Sequence, residues 1–210
     1  MHFNESYVAG LREQFPALHR LHGDRRAVFF DGPAGTQVPQ RVIDAIGHYL
    51  THCNANGHGV FATSIESDAE MDQSHQAAAD FLGASDADCI AFGANMTTST
   101  LALARALGRS WSAGDEILLS GLEHDANFTP WHQAASDAGA MVRVVDITPE
   151  DCTPNMDDFR AKLSSKTRFV AVGCASNAAG TINPVTEICA AARDVGALSF
   201  LDAVHYAPHD

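Results

Sequence analysis

Polar side chains that could take part in chemistry follow four of the apolar runs that the sequence predicts to be strands. A turn rich in Thr and Ser, residues 93–100, follows the first run, and His124 lies just past the second. Asn177 follows the fourth run, and Asp202 ends the fifth. Because ligands bind beyond the carboxyl ends of parallel strands, we expect these groups to meet at one edge of a sheet.

The turn at residues 93–100 passes into a predicted helix that begins near Thr97. Free amides and the positive end of the helix dipole favour an anion there, and the Thr97 hydroxyl adds a donor. The same residues also fit a hydroxyl-rich helix cap with no ligand. The turn is neither a Walker loop nor a GxGxxG sequence, so a nucleotide is not indicated.

The other three polar positions each allow more than one role. His124 could stack on a ring, move a proton, bind a metal or be purely structural. Asp202 needs a cation or hydrogen-bond donors if it is buried, and otherwise it caps the next turn. Asn177 is also a typical turn residue. A metal hydrolase that uses His124, Asp125, Asp202 and His205 is a further alternative, although no two of them have the HExxH spacing.

Short apolar runs alternate with helical patterns past residue 85, which predicts an α/β fold with a parallel sheet. The last two strands are apolar on consecutive residues, so we expect both to be buried on both faces. The predicted strands cover residues 89–92, 116–120, 141–147, 168–173 and 199–202. The predicted helices cover residues 40–52, 66–81, 97–107, 128–138, 156–163 and 185–195, with Gly83 and Asn155 as caps.

Composition excludes several classes of protein. The chain has 13 basic and 26 acidic residues, for a net charge of −13, and no basic run, so we expect no nucleic-acid partner. No apolar run approaches the ~20 residues that a membrane span needs, and no signal peptide is visible. The five cysteines are scattered and form no CxxC pair, which favours reduced thiols in a cytoplasmic protein.

From about residue 29 to its last residue, the chain resembles the N-terminal half of the class V aminotransferase family. The nearest branch is the cysteine-desulfurase-like subfamily of fold-type I pyridoxal-phosphate (PLP) enzymes. The resemblance lies in stretches that occur in the order and spacing of the family: 30–37 (FDGPAGTQ), 92–98 (FGANMTT), 123–127 (EHDAN), 176–184 (SNAAGTINP) and 202–205 (DAVH).

The resemblance implies that the cofactor is pyridoxal 5'-phosphate. Its phosphate would lie in the turn that contains Asn95, Met96 and Thr97, with the Thr97 hydroxyl as a donor. The turn departs from the Gly-Thr-Thr of many desulfurases. The loop at residues 54–64 also lacks the His-Arg-Gly of many sulfur-mobilising members. Both departures weaken cysteine as the substrate and leave cofactor binding intact.

The resemblance also implies roles around the pyridine ring. His124 would stack on the ring and relay a proton near the reacting carbon, which makes it the catalytic candidate. Asn177 would bind the phenolic oxygen, with His205 nearby. Asp202 would pair with the pyridine nitrogen and keep it protonated, which lets the ring accept electrons.

For the whole protein, the resemblance implies a three-layer α/β/α large domain with a mostly parallel sheet. Residues 1–28 would form an N-terminal arm or part of a small domain. Residues 29–210 would form a partial PLP-binding domain that ends before the Schiff-base lysine. Lys162 and Lys166 are expected to be solvated surface residues, and Cys174 a small buried one.

The expected function is that of a PLP enzyme acting on a small-molecule amino acid, homodimeric at full length, with this chain inactive and unstable alone. His205, where desulfurases often carry Gln, keeps a kynureninase-, epimerase- or lyase-like branch open. A non-catalytic module that binds an anion at the Thr97 turn is the alternative from a different class.

Overall fold

The structure, a computed structural model, describes residues 4–209. These residues divide into two compact units, one ending at Ala91 and the other starting at Phe92. All the residues predicted to bind the cofactor lie in the second unit, so that unit carries the candidate site.

The first unit consists of helices, short turns and one small hairpin. Its helices are α1 (Glu5–Arg12), α2 (Gln40–His48) and α3 (Ala62–Leu82), and its strands β1 (Leu21–His22) and β2 (Arg25–Arg26) pair antiparallel. Short 3-10 turns cover Pro16–His19, Gly32–Ala34 and Ala87–Cys89. The predicted helix over residues 40–52 is real but changes to a π-helix at Tyr49–Cys53.

Helix α3 begins four residues earlier than predicted because the preceding loop folds onto its first turns. The Ser64 hydroxyl donates to the Asn56 carbonyl at 2.6 Å and accepts from the Gly59 amide at 2.7 Å. The helix ends as predicted, since Gly83 adopts the left-handed conformation (φ 65°) of a C-cap.

The strand predicted over residues 89–92 is wrong. The chain there leaves the 3-10 turn Ala87–Cys89 in an extended conformation, and within residues 4–209 no strand pairs with it. Extended backbone becomes a sheet strand only when a neighbour supplies hydrogen bonds. The turn before Thr97 therefore follows an extended segment and not a sheet strand.

The second unit follows the predicted alternation of strands and helices. The helices are α4 (Met96–Gly108), α5 (Thr129–Ala138), α6 (Met156–Lys162) and α7 (Val185–Asp194). The strands are β3 (Glu116–Ser120), β4 (Met141–Val145), β5 (Ile147–Thr148), β6 (Thr153–Pro154), β7 (Thr167–Gly173) and β8 (Leu198–Asp202). The single strand predicted over 141–147 breaks at Asp146, and β5 pairs with β6 in a separate antiparallel hairpin.

A four-stranded parallel sheet forms the centre of this unit, in the order β4-β3-β7-β8. Helices α4 and α5 pack Ala104 and Trp131 on one face, against Ile117 and Phe169. Helices α6 and α7 pack Phe159 and Ile188 on the other face, against residues that include Leu118, Val170 and Val172. Each fully buried side chain of this kind stabilises the fold by roughly 1.5–3 kcal/mol. The three-layer α/β/α fold with its mostly parallel sheet is confirmed.

Strands β7 and β8 differ in burial, although both have continuous apolar sequences. Strand β7 lies between β3 and β8, and its residues from Phe169 to Val172 are buried, as predicted. Strand β8 is the last strand of the sheet, and Leu198 is 61% exposed. The prediction that β8 is buried on both faces is therefore wrong for the described residues, because only β7 pairs with it.

Candidate active site at the carboxyl edge of the sheet

The N-terminus of α4 presents backbone amides and hydroxyls. Asn95 caps the helix, and its side-chain oxygen accepts from the Thr98 amide at 2.9 Å. The first two amides of a helix, here those of Met96 and Thr97, have no acceptor within the helix. The Thr97 side chain is exposed. A Cβ built at Gly93 would collide with the Ser99 hydroxyl, so the backbone runs close over the first turn.

Two of the residues predicted to hold the phosphate have local partners in this turn. The Asn95 side chain is engaged as the helix cap. The partly buried Met96 points its sulfur at the Thr100 hydroxyl, which donates to it at 3.4 Å. The groups of this turn that remain open to an anion therefore include the amides of Met96 and Thr97 and the hydroxyl of Thr97.

His124 lies in the loop between β3 and α5 and caps the 3-10 turn Asp125–Asn127. Its Nδ1 accepts from the Ala126 amide at 3.1 Å, and its ring is exposed. An accepting Nδ1 places the proton of the neutral ring on Nε2. The Nε2–H group is therefore the donor that the neutral ring can offer to a partner.

Glu123, immediately before His124, has the most unusual environment in the loop. Its carboxylate accepts from the Gly173 amide at 2.8 Å and from Asn127 Nδ2 at 2.5 Å. Burial raises the pKa of Glu123 to about 7; the donors Gly173, Asn127 and Ser120 oppose that shift, and the charge of Asp202 adds to it.

Asn177 lies in a tight turn that follows β7. The Ser176 hydroxyl accepts from the amides of Ala178 and Ala179, and this fixes the turn. The Ser176 amide donates to the Thr181 carbonyl, which returns the chain toward the sheet. Asn177 lies within this connection and is partly buried.

Asp202 is the last residue of β8 and lies beside Gly173 in the parallel register. Its Oδ1 accepts from the Val204 amide at 3.0 Å, which leaves the second carboxylate oxygen for another partner. The side chain is partly buried. His205 lies in the turn after the strand and is also partly buried.

Adjacent strands bring these positions to the same edge. Strand β7 is flanked by β3 and β8, so the loops with His124, Asn177 and Asp202 leave neighbouring strands at their carboxyl ends. Helix α4 packs on the sheet face formed by β3 and β7, next to α5. Glu123 and Asn127 lie in the EHDAN stretch, but no role was predicted for either of them. The feature of the sequence that could have indicated a role is the position of the charged Glu123 between a buried strand and the buried Ala126.

The lysine, the cysteine and the possible metal ligands that were named from the sequence add no further group to this candidate site. Lys162 was expected to be solvated, but its side chain is only 24% exposed and pairs with Asp158 at 2.6 Å on the β4 side. Burial raises the pKa of the Cys174 thiol, which keeps it protonated and weakly nucleophilic. No group of three or more His, Cys, Asp or Glu residues within 4–209 is arranged to hold a metal ion. The four residues considered for a metal hydrolase therefore do not form such a site.

A parallel sheet with helices on both faces and polar groups at its carboxyl edge is the architecture of the large domain of fold-type I PLP enzymes. The profile of the family "Aminotransferase class-V" matches residues 28–210. The chain belongs to this family.

Relatives in the family are cysteine desulfurases. The chain is 34% identical to a "Probable cysteine desulfurase" of Vibrio cholerae serotype O1, over 95% of this chain and 50% of that protein. The crystal structure of the cysteine desulfurase CsdA (S-sulfonic acid) from Escherichia coli superposes with a TM-score of 0.83 at 26% identity, covering 100% of this chain and 51% of that one. The apo cysteine desulfurase from Thermococcus onnurineus NA1 has a TM-score of 0.83 at 27% identity, covering 92% and 46%.

The chain spans about half of the length of these relatives. None of the helices formed by residues 4–209 combines the length and apolar character that crossing a bilayer requires.

Proposed function

We propose that the full-length protein is a PLP-dependent enzyme that acts on an amino acid, of the cysteine-desulfurase-like type. The observation that carries this proposal is the position of Asp202, at the carboxyl end of β8 beside the loops of His124 and Asn177. A carboxylate with one free oxygen at this edge suits the protonated nitrogen of a pyridine ring. The desulfurases among the relatives are consistent with the same chemistry.

The residues present fit the chemical groups of the cofactor. The amides of Met96 and Thr97, with the Thr97 hydroxyl, are donors suited to a phosphate at the N-terminus of the thirteen-residue helix α4. The exposed His124 ring offers a flat surface for a second ring. The Asn177 amide can donate to an oxygen substituent. Apart from the Asn95 and Met96 side chains, which have local partners, the predicted set remains compatible with PLP.

PLP supplies an electron sink that stabilises a carbanion at the substrate carbon. The protein residues have separate tasks. Asp202 holds a proton at the pyridine nitrogen, because a carboxylate stabilises the cationic form of its partner. His124, with its neutral-state proton on Nε2, can carry a proton to and from the reacting carbon. The Thr97 turn fixes the phosphate end and so orients the ring.

The test is the substitution Asp202→Asn in the full-length protein. Asn keeps an oxygen acceptor for the Val204 amide but removes the charge that would pair with the pyridine nitrogen. We expect wild-type protein to bind PLP with a visible absorbance change and to turn over an amino acid. The variant should fold normally and lose turnover by at least about a hundredfold, the cost of a charge-assisted interaction of roughly 3 kcal/mol.

Asp194→Ala is the matched control, because Asp194 is an exposed carboxylate at the end of α7. It should bind PLP and turn over substrate like the wild type. Full activity in the Asp202→Asn variant would remove the assignment of Asp202. Absence of PLP binding by the wild-type protein would leave the anion-binding module as the better description.

His205 supports a second candidate within the same class of enzyme. This histidine stands where desulfurases often carry Gln, and it is partly buried directly after β8. A kynureninase-, epimerase- or lyase-like reaction is the alternative. The organic product from cysteine, assayed with a thiol reductant and beside a panel of other amino acids, separates the two candidates. Alanine, with the sulfur released as sulfide by the reductant, would reject the second one, whereas pyruvate and ammonia formed together with sulfide would indicate the lyase-like reaction.

We also propose that the full-length protein is a homodimer and that residues 29–210 form part of its PLP-binding domain, with residues 1–28 as an arm. Both follow from the resemblance to the family. All five cysteines are free thiols in the structure, which fits a cytoplasmic, reducing compartment.

A further inference from the structure

Glu123 connects two parts of the candidate site that are distant in sequence. It follows β3 and directly precedes His124. Its two carboxylate oxygens accept from Gly173, at the end of β7, and from Asn127, within its own loop. The Gly173 bond spans 50 residues of chain. The loop's other hydrogen bonds include the local His124–Ala126 and Asp125–Thr129 contacts, so the Glu123–Gly173 bond is the one that reaches across to β7.

The direction of each hydrogen bond at Glu123 is fixed by its neighbours. The indole N–H of Trp131 donates to Asn127 Oδ1 at 2.9 Å, and an indole nitrogen cannot accept. Asn127 must therefore turn its NH₂ group toward Glu123. The Gly173 amide can likewise only donate. Since Trp131 and Asn127 are both fully buried, neither can exchange this arrangement for contacts with water.

Gly173 in turn lies next to the predicted pyridine partner. It pairs with Asp202 in the β7–β8 register, and the Cys174 amide donates to the Asp202 carbonyl at 2.8 Å. The Gly173 carbonyl accepts from Asn183 Nδ2 at 2.7 Å, which holds this strand end in place. A group that is hydrogen-bonded to Gly173 is therefore held at a fixed position relative to Asp202.

We propose that Glu123 is a positioning residue, which ties the loop of His124 to the end of β7 and thereby sets the spacing between His124 and Asp202. Removal of either oxygen acceptor leaves a buried donor unpaired, which is costly. The identity of the group that binds between His124 and Asp202 rests on the proposed function. The hydrogen-bonded connection between the loop and the strand is independent of that function.

The experiment compares Glu123→Gln with the wild type in the full-length protein. Gln must direct its NH₂ group at one of the two fixed donors, so one hydrogen bond is lost. Without PLP, we expect the Gly173 amide to exchange with solvent about tenfold faster and the NMR signal of the Trp131 indole N–H to shift. With PLP, we expect about tenfold weaker binding and an altered circular dichroism signal of the bound cofactor, which reports how the ring is held.

Asp125→Asn is the matched control, because Asp125 is a carboxylate in the same loop whose partner is the nearby Thr129. It should leave all four readouts unchanged. Unchanged Gly173 exchange and Trp131 signal in Glu123→Gln would overturn the connection. Altered values of both, with unchanged cofactor affinity and circular dichroism, would overturn the positioning role. If the wild-type protein binds no PLP, the proposed function fails while the cofactor-free measurements still decide the connection.

Wild-type protein provides a second test that needs no substitution. The Gly173 amide donates directly to the Glu123 carboxylate, and the Trp131 indole is linked to the same carboxylate through Asn127, so their NMR signals should move together as Glu123 titrates. The charge of the neighbouring Asp202 also acts on Glu123. Signals that move independently of each other would overturn the connection, even if Glu123→Gln does not fold.

Discussion

At the scale of single residues, three carboxyl groups of this protein have pKa values shifted in opposite directions. The pKa of Asp115 is lowered, chiefly by its hydrogen bond with Arg168, and that of Glu116 chiefly by Arg143. The pKa of Glu123 moves the other way, because burial outweighs its donors. The first two carboxylates stabilise the fold as anions, whereas the ionisation of Glu123 opposes folding.

The pH dependence of stability should reveal Glu123. Its pKa is about 7 in the folded protein and near 4.5 when unfolded, so between these values the folded state holds the extra proton. The free energy of unfolding should therefore fall as the pH rises from about 5 to about 7, by up to about 3 kcal/mol, and then level off. Urea unfolding of wild type and Glu123→Gln across this range measures the difference in slope.

The carboxylates whose pKa values are lowered do not obscure the effect of Glu123 on stability. A group whose pKa is depressed contributes stability above its ordinary value and loses it as the pH falls, which places Asp115 and Glu116 below about pH 4.5. Equal slopes for wild type and Glu123→Gln between about pH 5 and 7 would contradict the raised pKa of Glu123.

At the scale of elements, side-chain caps decide where several helices begin. Asn155 accepts from the amides of Asp157 and Asp158 at 3.1 and 3.0 Å and starts α6, as the sequence predicted. The acidic first turn of this helix adds a favourable interaction with its dipole. Helix α6 then places Phe159 under the sheet, so the cap contributes to a buried layer.

Replacement of this cap should have a modest, measurable cost. Asn155→Ala removes the acceptor for two amides and should lower the free energy of unfolding by about 1 kcal/mol. Asn155→Ser is the matched control, since Ser is a good cap, and it should retain most of the stability. Equal stability of the Ala and Ser variants in urea unfolding would show that the cap is not what starts α6.

At the scale of the whole molecule, β8 and the turn after it leave apolar side chains exposed. Leu198 is 61%, Leu201 38% and Val204 51% exposed. Within residues 4–209, β8 forms backbone pairs only with β7, so its other edge is open. Open edges and contiguous apolar surface promote association between chains.

We therefore expect the 210-residue chain, when expressed alone, to be insoluble or to form large aggregates. Size-exclusion chromatography with light scattering measures this directly. Leu198→Lys combined with Leu201→Lys should raise the soluble fraction, because charges on an edge strand oppose pairing. A soluble monomer of the unmodified chain that unfolds in one cooperative transition would contradict the prediction.

Short-range patterns in the sequence were sufficient for much of the fold. Strand β3 and the cap at Asn155 were predicted at the observed residues, and α4, α5 and α7 within a residue or so. These features depend on neighbours within a few positions, so periodicity and capping identify them. The order of polar groups after successive strands also predicted that these groups meet at one edge of the sheet.

Tertiary structure decided the features that depend on which strands are neighbours. Residues 89–92 form no strand and β8 is exposed, because pairing and burial need a partner that periodicity does not identify. The Glu123–Gly173 hydrogen bond joins residues 50 positions apart, and the raised pKa of Glu123 arises from burial at that junction. The sequence by itself determined the elements and the chemical groups at their ends, and only the packing of β3 beside β7 determined how those groups are connected, since such contacts exist only once the sheet has assembled.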